Sequence, residues 1–356
     1  MRAPLPVLCL LLACSDPSAR PDAGAAPDAG VDAAPEPEDT GPPIPGAQTL
    51  STTLPDMPLE AGEEDASLCF SWTLDNATEV FVNTVRMEAT RGIHHSNWFF
   101  VRPNVFQGED GLWKCRDRGF DSVAAATSGG VLFAQSTQAA GEEQRFPDRT
   151  ALRLPPLTRI VGQIHLLNTS PEPTTVEAAM HLDTLPVDAV ETRLHGLAFD
   201  YLDLQIPPRM QSEFAMECDF AEQNGGPLDF RIYYALPHYH ELGLGLRVEL
   251  IGGPRDGEIL WESFTPIGEP LGETFDPPLE VDGATGMRVT CVYDNPRDEV
   301  VRYGIGTQEM CLMLAFTDSR YIWGGGNLER GGNVEVAREE GVSYNEAPCR
   351  MVRYTP

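Results

Sequence analysis

Histidine is scarce in this chain of 356 residues, and its placement is uneven. Only seven histidines occur, and five of them stand in three short motifs. These are the adjacent pair His94 and His95, the single His165, and the pair His238 and His240 around one tyrosine. Imidazole is a common metal ligand, and a His-x-His pair on a β-strand places both rings on one face. The motifs therefore indicate candidate metal ligands, although each motif alone also occurs among ordinary surface or core residues.

The adjacent pair poses a geometric problem. His94 and His95 would point to opposite faces of a regular strand, because successive side chains alternate. For both rings to bind one ion, the backbone needs a bulge or a loop, or the rings must use different nitrogen atoms.

Three segments of the second half resemble, in order and spacing, the second domain of the ascorbate-dependent type II copper monooxygenases. They are LPHYHELG at 236–243, CVYDN at 291–295 and GTQEMC at 306–311. This family contains the peptidylglycine and dopamine monooxygenases. The resemblance implies that His238, His240 and Met310 bind the copper ion at which oxygen is activated, and it makes them the candidate catalytic residues.

The resemblance extends more weakly into the first half, so that it covers roughly residues 65–350. The family's first domain binds a second copper ion through an adjacent histidine pair and a later single histidine, and this ion receives electrons from ascorbate. His94, His95 and His165 match that order. The resemblance thus implies two mononuclear copper sites, with ascorbate or another reductant as co-substrate.

The two implied ligand sets differ in chemical softness. Imidazole binds copper in both oxidation states, whereas a thioether favours Cu(I). Two histidines with Met310 therefore suit a centre that is reduced before it meets oxygen, and three histidines tolerate Cu(II) better. Without this context Met310 would be interpreted as a core methionine. His181 and His195 match no ligand position of the family, and we interpret them as structural residues.

Leucines around the implied oxygen site argue against a peptide substrate. Peptide-amidating members of the family carry an arginine two residues before His-x-His, and an asparagine and a tyrosine two and four residues after the methionine. This chain has Leu236, Leu312 and Leu314 there, so a charged clamp for a carboxylate is missing. We expect a copper-dependent monooxygenase that uses O2 to hydroxylate an activated C–H bond of a small apolar or aromatic molecule.

Two other functions remain open. An envelope lipoprotein could bind or sequester copper without catalysis, and a β-sandwich adhesion module could carry incidental histidines. Two chemically different ligand sets are more than sequestration needs, which favours the enzyme.

Strand signals dominate the sequence after residue 50. Apolar and polar residues alternate over four segments, 79–89, 229–236, 245–251 and 286–293. Clusters drawn from 33 glycines and 31 prolines separate such segments, and no long amphipathic helix is evident. We predict an all-β fold of two consecutive antiparallel β-sandwich domains, similar to jelly rolls, at 51–194 and 195–356.

The first 50 residues read as an export signal followed by a tether. The short apolar run 5–13 leads into Leu-Leu-Ala-Cys, which resembles a bacterial lipobox. We predict a lipoprotein signal peptide at 1–14 with lipidation of Cys14, the alternative being an ordinary cleaved signal peptide. Residues 15–50 are rich in Ala, Pro and Asp and are predicted to be a disordered linker. The expected location is the bacterial cell envelope, at the outer membrane, with membrane contact only through the lipid.

Six cysteines follow the signal region, and an even number suits disulfides in an oxidising compartment. The family resemblance implies that Cys291 pairs with Cys311 and that Cys218 pairs with Cys349. The two cysteines left over are a candidate third pair, although the family joins their apparent equivalents to other partners. They are Cys69 and Cys115.

The chain is strongly acidic, with 54 Asp and Glu against 25 Lys and Arg, and its formal net charge is −29. Such a charge repels nucleic acid and anionic membrane surfaces. We therefore expect O2 and a small-molecule substrate as partners, and no nucleic acid.

Overall fold

The computed structural model describes residues 44–135, 141–265, 271–304, 307–327 and 332–355. The predicted signal peptide, Cys14 and most of the predicted tether lie outside the described residues. The first strand begins at Gln48, inside the last three residues of the predicted tether. The chain from Ile44 onward forms one compact unit.

Two antiparallel sheets build the N-terminal half, which we define as strands β1 to β12. These strands are β1 (Gln48–Thr53), β2 (Met57–Leu59), β3 (Glu64–Thr73), β4 (Val80–Ala89), β5 (Ile93–Val101), β6 (Gly111–Lys114), β7 (Gly130–Gln135), β8 (Gly141–Arg145), β9 (Thr150–Leu154), β10 (Arg159–Leu167), β11 (Thr174–Val176) and β12 (Ala178–Leu185). One sheet has the order β1-β12-β4-β9 with β8 on β4, and the other has the order β6-β3-β10-β5-β7. Strands β2 and β11 form a separate pair.

The C-terminal half, strands β13 to β26, also has two layers, but each of its sheets includes one parallel pair, β13–β23 and β15–β25. These strands are β13 (Thr192–Asp200), β14 (Gln205–Ile206), β15 (Met210–Asp219), β16 (Arg231–His238), β17 (Gly243–Ile251), β18 (Ile259–Phe264), β19 (Glu273–Glu280), β20 (Gly286–Asn295), β21 (Val301–Arg302), β22 (Leu312–Thr317), β23 (Ile322–Gly326), β24 (Val334–Glu339), β25 (Val342–Pro348) and β26 (Arg350–Tyr354). One sheet has the order β13-β22-β16-β19, with β23 between β13 and β26. The other has the order β18-β17-β20-β15-β25-β24, and β14 pairs with β21.

The described residues form few helices, and these are short. They are α1 (Ser122–Ser128) and α2 (Ala221–Asn224), together with three 3₁₀ turns at Cys115–Arg118, Val187–Ala189 and Gly253–Arg255. Within the described ranges, no helix has the length and apolar character needed to cross a membrane. The prediction of an all-β fold is confirmed.

Period-2 alternation places apolar side chains between the facing sheets. In the C-terminal half, Phe214 and Met216 of β15 share a buried core with Leu246 and Val248 of β17. A second core lies between the sheets of the N-terminal half and contains, for example, Trp98 of β5. Burial of such side chains supplies the main favourable free energy of folding.

Strand β13 belongs to both halves. Its first three residues, up to Leu194, pair in parallel with β9, and from His195 onward the strand pairs with β22. The predicted domain boundary between 194 and 195 therefore lies inside a strand, at the point where its partner changes. One sheet consequently runs from the first half into the second.

Strand β22 is buried on both faces. Met313 and Ala315 belong to the core of the C-terminal half, while Leu314 and Phe316 belong to the core of the N-terminal half. The strand reads as a continuous apolar run for this reason. The two halves thus meet over an apolar face of the β13-β22-β16 sheet.

The described residues contain three disulfides, and they are the pairs named from the sequence. Cys218 is bonded to Cys349, and Cys69 to Cys115. The third bond joins Cys291 on β20 to Cys311, the residue that follows Met310. This bond fixes the start of β22 to the neighbouring sheet.

Candidate metal centre

A β-bulge brings the adjacent histidines of β5 to one side. His165 of β10 is opposite His95, but the next residue, Leu166, is opposite Ile93. His94 is therefore the extra residue of the bulge, which reorients its side chain. Of the three possibilities for the adjacent pair, which were a bulge, a loop and the use of different ring nitrogens, the structure has the bulge.

The first ligand set is compact. One nitrogen from each of His94, His95 and His165 lies within 4.8 Å of the others. The ring centroids are 4.7 Å apart for His95 and His165, 4.9 Å for His94 and His165, and 5.1 Å for the adjacent pair. This geometry suits three nitrogen ligands around one ion.

Glu64 orients His165. The carboxylate lies 2.7 Å from Nε2 of His165. A carboxylate accepts, so Nε2 donates its proton to Glu64 and Nδ1 keeps the lone pair. That Nδ1 is buried and has no hydrogen-bond partner among the described residues. It is therefore the atom that His165 could offer to a metal ion.

The second ligand set begins where β16 ends. His238 is the last residue of β16, and His240 follows in the turn, with the two ring centroids 5.2 Å apart. Tyr239 points the other way, into the core of the C-terminal half, as alternation requires. A methyl group on Gly243 would lie 2.1 Å from the Tyr239 ring, so this close approach needs glycine.

The segment 308–310 holds His240 in place. Nδ1 of His240 donates to the carbonyl of Gln308 at 2.8 Å, which leaves the lone pair on Nε2. The buried carboxylate of Glu309 accepts from the backbone N–H groups of His240 and Leu242, each at 2.7 Å. Met310, the third expected ligand, follows directly, so the motif that carries it also positions one of the histidines.

The two ligand sets are neighbours. The ring of His95 lies 5.7 Å from that of His238 and is stacked on that of His240 at 6.1 Å. Five imidazoles therefore form one continuous cluster at the junction of the two halves. The sequence alone gave no sign of this closeness, because it depends on how the halves pack.

Burial favours the neutral form of four of these rings, those of His94, His95, His238 and His240. It lowers the pKa of His94 to about 4, of His95 to about 2 and of His238 to about 3, and neighbouring imidazoles add to the effect. Burial also lowers the pKa of His240, although the Gln308 carbonyl opposes this. Neutral imidazole is the form that binds a metal ion.

A cavity of about 1040 Å³ opens beside the cluster. Its wall includes His95, His165 and His238, and the half-buried Met310 lies in the same wall. The three leucines expected around the oxygen site also line it: Leu236, Leu312 and Leu314. The cavity wall is therefore apolar beside His238 and Met310, whereas Asn97 and Gln163 line it beside His95 and His165.

The two remaining histidines lie apart from the cluster's ring contacts. His181 on β12 is hydrogen-bonded through Nδ1 to the Ser51 hydroxyl at 2.8 Å. His195 on β13 is hydrogen-bonded through Nδ1 to the Ser319 carbonyl at 2.6 Å, and it lines another part of the cavity. Each has a structural partner.

Sequence reasoning missed two acidic residues of the site. Glu64 contacts the ring of His165 and Glu309 the backbone N–H of His240, so each acts on a candidate ligand. Glu309 stands next to Met310 in the Gln-Glu-Met-Cys segment, so its position was a usable signal, whereas Glu64 is 101 residues from His165.

No protein-family model and no curated protein matches this chain. Among solved structures, the major capsid protein P2 from bacteriophage PM2 is similar at 8% identity, with a TM-score of 0.29, over 75% of this chain and 97% of that chain. The VP2 subviral particle of infectious bursal disease virus is similar at 10% identity, with a TM-score of 0.20, over 76% of this chain and 72% of that chain. Likeness at this level carries no argument about function.

Proposed function

We propose that this protein is a copper-dependent monooxygenase that hydroxylates an activated C–H bond of a small apolar or aromatic molecule. The reaction consumes O2, two electrons and two protons, and it yields the alcohol and water. Ascorbate or another small reductant supplies the electrons. The proposal includes the envelope location and the lipid anchor at Cys14.

One observation carries the proposal. Imidazoles from the two sets of candidate ligands meet beside a cavity with an apolar wall, and their buried ring nitrogens include three without a hydrogen-bond partner among the described residues. These atoms are Nδ1 of His95, Nδ1 of His165 and Nε2 of His240. A buried nitrogen without a partner costs free energy unless a ligand or an ion satisfies it.

The donor set fits copper. Imidazole serves both Cu(I) and Cu(II), and the thioether of Met310 favours Cu(I). Copper, when bound, would supply the one-electron chemistry and the activation of O2. We assign His94, His95 and His165 to one ion and His238, His240 and Met310 to the other.

The chain's own residues prepare this chemistry. Glu64 and Gln308 fix which nitrogens of His165 and His240 carry protons, so the lone pairs are ready before any ion binds. Leu236, Leu312 and Leu314 give the substrate an apolar wall and exclude water from it. The same leucines offer no partner to a carboxylate, which disfavours peptide amidation.

Copper stoichiometry and oxygen uptake test the proposal. The purified chain should bind two copper ions, and with ascorbate and a suitable apolar substrate its oxygen uptake should match product formation. Met310→Leu, which keeps the volume but removes the sulfur, should retain the copper of the three-histidine set and lose coupled turnover. Met180→Leu is the matched control, because Met180 is buried on β12 away from the cavity lining.

Three other outcomes would contradict all or part of the proposal. Full coupled activity in Met310→Leu refutes the assigned oxygen site. Two bound copper ions without turnover on any substrate favour the sequestering lipoprotein. A chain that binds no copper excludes both.

A further inference from the structure

A row of three side chains crosses the cavity floor. Leu312 of β22 is paired with Asp200 of β13 on one side and with His238 of β16 on the other. Residues directly opposite in neighbouring strands point to the same face of a sheet. All three line the cavity. Two strand spacings separate Asp200 from His238, which is about 10 Å between their backbones.

Asp200 brings a carboxyl group into this row, and only one of its two oxygen atoms has a hydrogen-bond partner within the described ranges. Its Oδ2 accepts a hydrogen bond from the hydroxyl of Tyr303 at 3.0 Å. Its Oδ1 is buried and has no hydrogen-bond partner among the described residues. Among the described residues, Asp200 also forms no ion pair with a basic side chain. One strong acceptor is thus left unsatisfied in this row, which continues across Gly326 of β23 to the exposed Arg350 of β26, two strands away.

The next row shows how local this polarity is. Ala198, Leu314 and Leu236 stand side by side on the same three strands and also line the cavity. A ligand on this floor would contact aliphatic side chains along most of its length and meet a carboxyl group at one end. Small-molecule sites commonly combine an apolar lining with a few placed polar groups that fix orientation.

We propose that Asp200, held by Tyr303, is the polar anchor of the cavity and binds a hydrogen-bond donor at one end of an otherwise apolar ligand. The donor is a hydroxyl or an ammonium group, and the ligand's other end lies beside His238 and Met310. The anchor deepens the proposed function, on which its role in orienting a substrate rests. It specifies an amphiphilic substrate whose polar end is about two strand spacings from the reacting carbon.

Binding of three matched probes tests the anchor without any turnover. The probes are 4-butylbenzyl alcohol, 4-butylbenzylamine and 1-butyl-4-ethylbenzene, which differ only in the terminal hydroxyl, ammonium or methyl group. Affinity is measured by calorimetry on the full chain, with copper bound and again after chelation. The measurement is made at pH 8.5, because burial raises the pKa of Asp200 to about 7 and the ionised carboxylate can only accept.

We expect the ratio of alcohol to hydrocarbon affinity to fall about tenfold in Asp200→Leu, as for loss of a hydrogen bond to a charged group. Asp188→Leu is the control, since Asp188 is exposed on a 3₁₀ turn and removes the same charge outside the cavity. If Asp200→Leu does not fold, Asp200→Asn keeps the shape and should lower the relative affinity for the ammonium probe about tenfold.

If the alcohol probe loses more affinity on substitution of Asp200, the ligand carries a hydroxyl group. If the amine probe loses more, the ligand carries an ammonium group. An unchanged ratio in folded Asp200→Leu, or a wild-type chain that does not distinguish the probes, overturns the anchor. A chain that shows the expected ratios but never couples oxygen uptake to product loses the proposed function and keeps the binding site.

Discussion

The unsatisfied carboxylate of Asp200 should cost stability at neutral and alkaline pH. Burial raises its pKa from 3.8 to about 7 against the opposing hydrogen bond from Tyr303. The folded chain therefore binds this proton more tightly than the unfolded chain does. Its contribution to stability is fully present below pH 4 and is lost as the pH rises through 7. Asp200→Asn imitates the protonated side chain and removes this dependence.

The size of this stability difference follows from the pKa shift of Asp200. About three pKa units correspond to about 4 kcal/mol at 1.36 kcal/mol per unit. The Asp200 side chain is only half-buried as a whole, although its Oδ1 is fully buried. Solvent screening therefore reduces the effect, and we expect Asp200→Asn to be more stable than the wild type by about 2–4 kcal/mol at pH 8. At pH 4 the two should agree within about 0.5 kcal/mol.

Urea unfolding with the disulfides intact measures this difference at a series of pH values. Asp65→Asn is the control of opposite sign. Burial raises the pKa of Asp65, but hydrogen bonds from Ser67 and Lys114 outweigh it and hold that pKa below its ordinary value. Asp65→Asn should therefore lose stability at pH 8 and lose less at low pH. A stability difference for Asp200→Asn that does not vary between pH 4 and 8 refutes the reasoning.

Other variants probe the framework of the histidines. Glu309→Gln replaces an acceptor of two backbone N–H groups by an amide that can satisfy only one of them, so we expect a loss of about 1–3 kcal/mol in urea unfolding and weaker copper binding at His240. Gly243→Ala should cost about 1–3 kcal/mol by overlap with Tyr239, whereas Gly196→Ala, with open space around its Cα, should change stability by less than about 0.5 kcal/mol. Copper should raise the thermal midpoint of the wild type by an amount that grows with the logarithm of the free copper concentration divided by its Kd, and a chelator should reverse the rise.

The strands of the C-terminal half were predictable because their alternation is local. The predicted segment 286–293 lies within β20, and 229–236 overlaps most of β16. The apolar stretch 197–206, in contrast, does not form one strand: 197–200 end β13, and Gln205–Ile206 form the short β14. Alternation does not reveal a strand that changes partner, because pairing over long sequence distances decides where it ends.

The candidate residues of the site were predictable from the sequence, but the positions that they take relative to one another were not. The need for a bulge at His94 followed from strand geometry, since adjacent side chains diverge. The approach of His95 to His238 did not follow, because it comes from the packing of one half on the other. Asp200 carried no signal either, since a single carboxylate at a strand end is ordinary until its surroundings prove apolar.

The shared strand β13 has a mechanical consequence. A hinge between the halves would have to break the backbone hydrogen bonds that tie Thr192–Leu194 to β9, besides opening the apolar face around Phe316. Large rotations of one half against the other are thereby resisted. The relative position of the two halves, and with it the spacing of the histidine motifs, is therefore set when the chain folds.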